Sequence, residues 1–119
     1  MTDLNETFVD LRAVMAAFAK SLEIVTDKDG HFYLNTKYKQ PNKKPLFFGA
    51  VQMKKGGVSY HLMPLYTHPA LLKSVSPGLK KHMQGKSCFT FKAVEPKLLK
   101  ELATVTRVGF NEYKKAGYV

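Results

Sequence analysis

Two runs of the chain, LFFGAVQM (46–53) and VSYHLM (58–63), alternate in character and meet across Lys55-Gly56-Gly57. Successive side chains on a strand point to opposite faces, so this period of two makes the runs the arms of an antiparallel hairpin. A hairpin that is apolar on one side must bury that side, which demands further strands and a covering layer. Phe47, Gly49, Val51 and Met53, with Val58, Tyr60 and Leu62, form the more apolar set and are expected to face helices. Leu46, Phe48, Ala50 and Gln52, with Ser59, His61 and Met63, are expected to face away.

Helices to supply the covering layer stand at both ends of the chain. Over residues 3–22, Leu4, Phe8, Leu11, Met15, Phe18 and Leu22 recur at steps of three and four, the signature of an amphipathic helix. Pro96 opens a second helix, since proline suits the first helical position, and Leu98, Leu102, Val105, Gly109 and Tyr113 share its apolar face. Between them the period of two begins at residue 23, and Lys28-Asp29-Gly30 separates two β-favouring runs as a hairpin turn. QPNKKP (40–45) is a loop by composition. Residues 64–86 hold three prolines and two glycines and read as two short helical turns, starting near Pro69 and Pro77. SCFTF (87–91) then alternates as the last strand.

A chain of 119 residues without repeat or linker is expected to be one domain, residues 1–119. The element order predicts an α+β two-layer sandwich: an antiparallel sheet of four to five strands, with the N- and C-terminal helices on one face and the other face open.

Charge is unevenly spread. Residues 1–30 carry six acids against Arg12, Lys20 and Lys28, a net of −3, while the rest carries three acids against sixteen Lys or Arg, a net of +13. Such asymmetry suits an anionic partner, nucleic acid included. Seventeen of the nineteen basic residues are lysine, which suits a solvated, solubilising surface better than the bidentate reading that favours arginine. The single Cys88 cannot form an internal bridge, and Asp3, Glu6 and Asp10 stand where a secretory leader would be basic. No apolar run approaches the roughly 18 residues of a spanning helix. The expected compartment is the cytoplasm, with no membrane partner.

The stretch HMQGKSCFTFK (82–92) looks chemical and yields little chemistry. A phosphate-binding P-loop needs a glycine five residues before its Gly-Lys pair, where this chain has Lys80, and needs a strand before and a helix after. Gly85 instead reads as the residue that ends a helical turn. Cys88 as a nucleophile would need a base and a lowered pKa, and His61 and His82 are its only candidate partners. The four histidines show no close metal spacing. Asp3, Glu6 and Asp10 share an exposed face of the first helix, where they complement the helix dipole and could also hold a hard cation weakly.

The open sheet face is the remaining place for function. Tyr33, Lys37, Phe48, Gln52, His61, Thr90 and Lys92 would mix aromatic bodies with hydrogen-bond donors there, a surface for a small anionic or aromatic ligand or for single-stranded nucleic acid. The same pattern is also what the wet face of a one-sided sheet looks like. The expectation is a non-enzymatic binding domain that takes a small ligand or a protein partner through Phe48, Gln52, His61, Lys86 and Thr90. Basic nucleic-acid binding is the alternative from charge, and both monomer and homodimer fit an exposed sheet face.

PLFFGAVQMKKGGVSYHLMPLY, HMQGKSCFTFK and the closing KLLKELATVTRVGFNEYKKAGYV together resemble the YdhG-like domain family of unknown function. The resemblance covers roughly residues 30–119, and its most specific part is Met83-Gln84-Gly85-Lys86-Ser87-Cys88-Phe89. It implies an α+β sandwich of the kind likened to frataxin. That comparison in turn implies iron binding or delivery by acids of the first helix and adjoining strand, here Asp3, Glu6 and Asp10 with Glu23, Asp27 and Asp29. No other cofactor is expected.

Overall fold

The structure, a computed structural model, describes residues 4–119. Its strands are β1 (Glu23–Lys28), β2 (His31–Lys39), β3 (Pro45–Lys54), β4 (Gly57–Leu62), β5 (Met83–Gln84) and β6 (Cys88–Phe91). Its α-helices are α1 (Leu4–Ala16), α2 (Pro64–Thr67), α3 (Pro77–Lys80) and α4 (Pro96–Lys115). The strands form one antiparallel sheet in the order β1-β2-β3-β4-β6-β5. The fold is therefore α+β, and the arrangement is compatible with a two-layer sandwich. The sheet has six strands rather than four to five.

The extra strand is β5, and it revises the reading of Gly85. The chain leaves α3, enters β5, turns through residues 85–87 and returns as β6, pairing Gln84 with Cys88. Gly85 has φ +82°, a left-handed conformation that side chains rarely tolerate. It turns a β-hairpin rather than ending a helix. The first helix is shorter than its apolar period: α1 stops at Ala16, and Ala19–Ser21 is a single 3₁₀ turn before β1.

The core lies between the helices and one sheet face. Phe8, Leu11 and Met15 of α1 and Leu102, Val105 and Tyr113 of α4 are buried against Phe32, Leu34, Val51, Tyr60, Leu62, Phe89 and Phe91. One polar pair is built into that apolar layer. Thr106 Oγ1 donates to the Leu102 carbonyl at 2.8 Å, so its one proton is committed and the Tyr60 hydroxyl donates to it at 2.7 Å. Both groups are fully buried and both are satisfied, as a buried hydroxyl must be. Burial raises the Tyr60 phenol well above its ordinary range, which keeps it a donor.

At the rim, Arg12 of α1 makes two bonds to the Asp27 carboxylate of β1, at 3.0 and 2.7 Å, and lies over the Phe32 ring at 4.6 Å. This contact occupies one of the acids expected in a metal-binding group. Its hydrogen bond holds the Asp27 carboxyl below the usual range, so the stability it adds is present at neutral pH and is lost as pH falls through that depressed pKa. Solvent screens the pair, and its worth is small.

Helix α4 packs closely on α2 because Gly109 is a glycine. A β-carbon there would come within 2.9 Å of Pro64 Cβ, a ring carbon that cannot swing aside. Gly109→Ala gains roughly 1 kcal/mol of helix propensity and loses about 1–3 kcal/mol to overpacking. The clash should win: thermal denaturation is expected to give a lower Tm for Gly109→Ala, and an unchanged or higher Tm would contradict this packing.

Candidate functional site

A β-bulge decides what the open face presents. Leu34 pairs with Gly49, but Asn35 pairs with Phe47, leaving Phe48 as an extra residue in β3. The extra residue breaks the alternation, so Phe48 and Gly49 both face the helices. Phe48 is fully buried against the rings of Phe110 and Tyr113, and the space over Gly49 is filled by Met15. Phe47 goes the other way. It stacks on Tyr33, with ring centroids 4.7 Å apart, and meets His61 edge-on at 4.9 Å. The Tyr113 hydroxyl donates to the Phe47 carbonyl at 3.0 Å, fixing the backbone where the ladder is irregular.

Beyond the bulge the alternation is regular and brings two rows of side chains across the open face. Tyr33, Ala50, His61 and Cys88 are successive register partners, as are His31, Gln52, Ser59 and Thr90. The small Ala50 between the rings of Tyr33 and His61 leaves a hollow of about 330 Å³, which His31, Phe47, Gln52, Lys54, Ser59 and Cys88 also line. A second hollow of about 480 Å³ adjoins it, sharing Lys54, Ser59 and Cys88 and adding Gln84 and Thr90. Among the described residues no Asp or Glu lines either one.

Two titratable groups of the site, His61 and Cys88, are pushed toward their neutral forms. His61 Nε2 is 2.9 Å from Ser87 Oγ. Burial lowers the His61 pKa and the Lys54 charge lowers it further, so the imidazole is uncharged at neutral pH and can either donate or accept. Burial raises the Cys88 thiol, and the opposing influence of Lys54 and of a Ser59 hydrogen bond is smaller. A thiol held in its protonated form is a poor nucleophile. The Ser87–His61 pair has no carboxylate in the hollow to orient it, unlike a hydrolytic triad. The arrangement offers an anion a lysine, hydroxyls and amides beside a wall of rings.

Of the residues expected from sequence, Gln52 and His61 meet in the first hollow and Thr90 lines the second. Lys86 is exposed in the turn between β5 and β6 and lines neither. Phe48 is corrected: the bulge buries it under α4, and Phe47 takes its place on the open face. Of the expected metal group, Asp3 lies outside the described residues, Glu6 is exposed and Asp10 half-buried on α1. Among the described residues no three His, Cys, Asp or Glu stand together as metal ligands.

Sequence reasoning missed Lys54 and Ser87. Lys54 follows Gln52 by two and shares its face, a signal present in the sequence just past the strand read over 46–53. Ser87 carried no signal, because its partner His61 is distant in sequence. Compared with known proteins, the chain matches no family, no curated sequence and no solved structure. Among the described residues no helix is long and apolar enough to cross a membrane.

His61 should titrate below the ordinary histidine value of about 6.5 when its ring protons are followed by NMR. Lys54→Gln should raise that pKa only part of the way back, because burial is the larger cause. The unfolded chain then binds the proton more readily than the fold does. Stability should fall as pH drops below about 6.5 and level off below the folded-state pKa. His61→Gln should remove that dependence. Titration of His61 at or above the ordinary value would contradict the site's electrostatics.

Proposed function

We propose that this protein is a non-enzymatic binding domain whose open sheet face takes a small anionic ligand with a flat or apolar body. One observation carries the reading: the hollow over Ala50 sets the Lys54 charge and the Gln52 and Ser59 donors beside the rings of Tyr33, Phe47 and His61, with no carboxylate among the described residues to repel an anion. Its volume, about 330 Å³, falls at the lower end of the range for small-molecule sites. The raised pKa of Cys88 favours binding over thiol chemistry. Membership of the YdhG-like group, and with it a frataxin-like two-layer sandwich, belongs to the same proposal. It rests on the motif Met83–Phe89 and on helices α1 and α4 packing against the same side of the sheet.

The test is thermal stability against a panel of aromatic phosphates and carboxylates with their uncharged analogues. A ligand at a hundred times its Kd adds about 2.7 kcal/mol, several degrees of Tm for a domain of this size. A charged member should raise Tm, its uncharged analogue should not, and Lys54→Gln should abolish the shift while circular dichroism stays unchanged. An equal shift in Lys54→Gln, or none from any member of the panel, would contradict the reading.

A further inference from the structure

The hollow over Ala50 opens into a longer feature. It shares Lys54, Ser59 and Cys88 with the second hollow, and that one shares Gly56, Gln84 and Thr90 with a third, of about 440 Å³, which reaches Lys81, His82 and Lys92. Together they make one trough from β2 across β3, β4 and β6 to β5. Strand neighbours lie about 4.8 Å apart, so crossing five strands gives a length of roughly 19 Å.

Charge along the trough has one sign. Lys54, Lys81 and Lys92 stand along it, and among the described residues no Asp or Glu lines any part. Acids are placed elsewhere: Asp27 is bound by Arg12 on α1, and Glu95, Glu101 and Glu112 belong to α4 or its cap. A single small anion would use one of these lysines. Cations recurring along a groove, with π-surface from Tyr33, Phe47 and His61 at one end, fit a chain of phosphates that carries planar bases.

We propose that the trough binds single-stranded nucleic acid, a proposal that rests on the open face being the ligand site. Lysines place phosphates as point charges, and no arginine lines the trough to read a base edge. Binding is therefore tolerant of sequence. It prefers unpaired strands, because only unpaired bases can leave their own stack to contact the rings.

The test is fluorescence anisotropy of the full chain with a labelled oligothymidylate of about eight nucleotides, within the usual range of site sizes. Three phosphates neutralised at about −0.7 each give a log–log salt slope near −2, roughly a 20-fold loss of affinity between about 50 and about 200 mM salt. Lys81→Gln with Lys92→Gln should weaken binding and flatten the slope by about 1.4. The pair Lys100→Gln with Lys114→Gln removes the same charge from exposed positions on α4, in the opposite layer, and should leave the slope unchanged. Equal losses from both pairs would mean diffuse attraction and would overturn the proposal, as would duplex of the same length binding as tightly. Thymidine monophosphate separates this proposal from the one beneath it. If it binds as tightly as the oligomer, depends on Lys54 and ignores Lys81 and Lys92, the nucleic-acid proposal falls and the small-anion hollow stands. If neither it nor the oligomer binds, and the metabolite panel is also silent, both fall.

Discussion

The Tyr113 hydroxyl, bonded to the Phe47 carbonyl at 3.0 Å, ties the two halves of this structure together. It comes from the last turns of α4 and ends on the backbone of β3 at the residue where the ladder with β2 goes out of register. A bulge leaves a backbone group without its ladder partner, and a buried carbonyl left unpaired is unfavourable. Tyr113 supplies that partner, and burial raises its phenol pKa to about 12, so it stays a donor across the physiological range. The net worth of one such bond is only about 0.5–1.5 kcal/mol. Its larger consequence is geometric, because the bulge it supports sends Phe48 into the core and Phe47 onto the open face.

From that division the two faces acquire different chemistry. On the helix side Tyr60 pairs with Thr106 and Tyr113 with the Phe47 carbonyl, within a layer of apolar packing. On the open side one small residue, Ala50, lies between larger neighbours and leaves space that the sheet itself does not fill. Burial pushes His61 and Cys88 there toward their neutral forms, and the Lys54 charge lies in reach of both. A site of that kind holds an anion by charge and donors and has no activated nucleophile to attack it.

Most of the architecture was legible from period alone. The 46–63 hairpin, the helices at both ends and the face shared by Leu102, Val105, Gly109 and Tyr113 follow from where apolar residues recur. The two-residue strand β5 was not legible, since Met83 and Gln84 are too few to show a period and follow a proline-rich helical stretch. The order of aromatic residues in β3 was also beyond it. Phe47 and Phe48 are identical in type and adjacent, and strict alternation assigns them to the wrong sides. What reverses them is a bulge opposite Leu34–Asn35 and a hydroxyl 66 positions away along the chain, neither of which leaves a local mark. Gln52 and His61 lie past the bulge, where parity holds, and were placed on the correct face for that reason.

The open face depends on which phenylalanine faces which way, and nuclear Overhauser contacts between aromatic rings report it directly. With ring protons assigned, the Phe47 ring should show cross-peaks to Tyr33 and His61, and the Phe48 ring to Phe110 and Tyr113. The reverse pattern, with Phe48 beside His61 and Phe47 beside Tyr113, would mean an unbulged strand and no ring wall over Ala50, and would contradict the site at its origin.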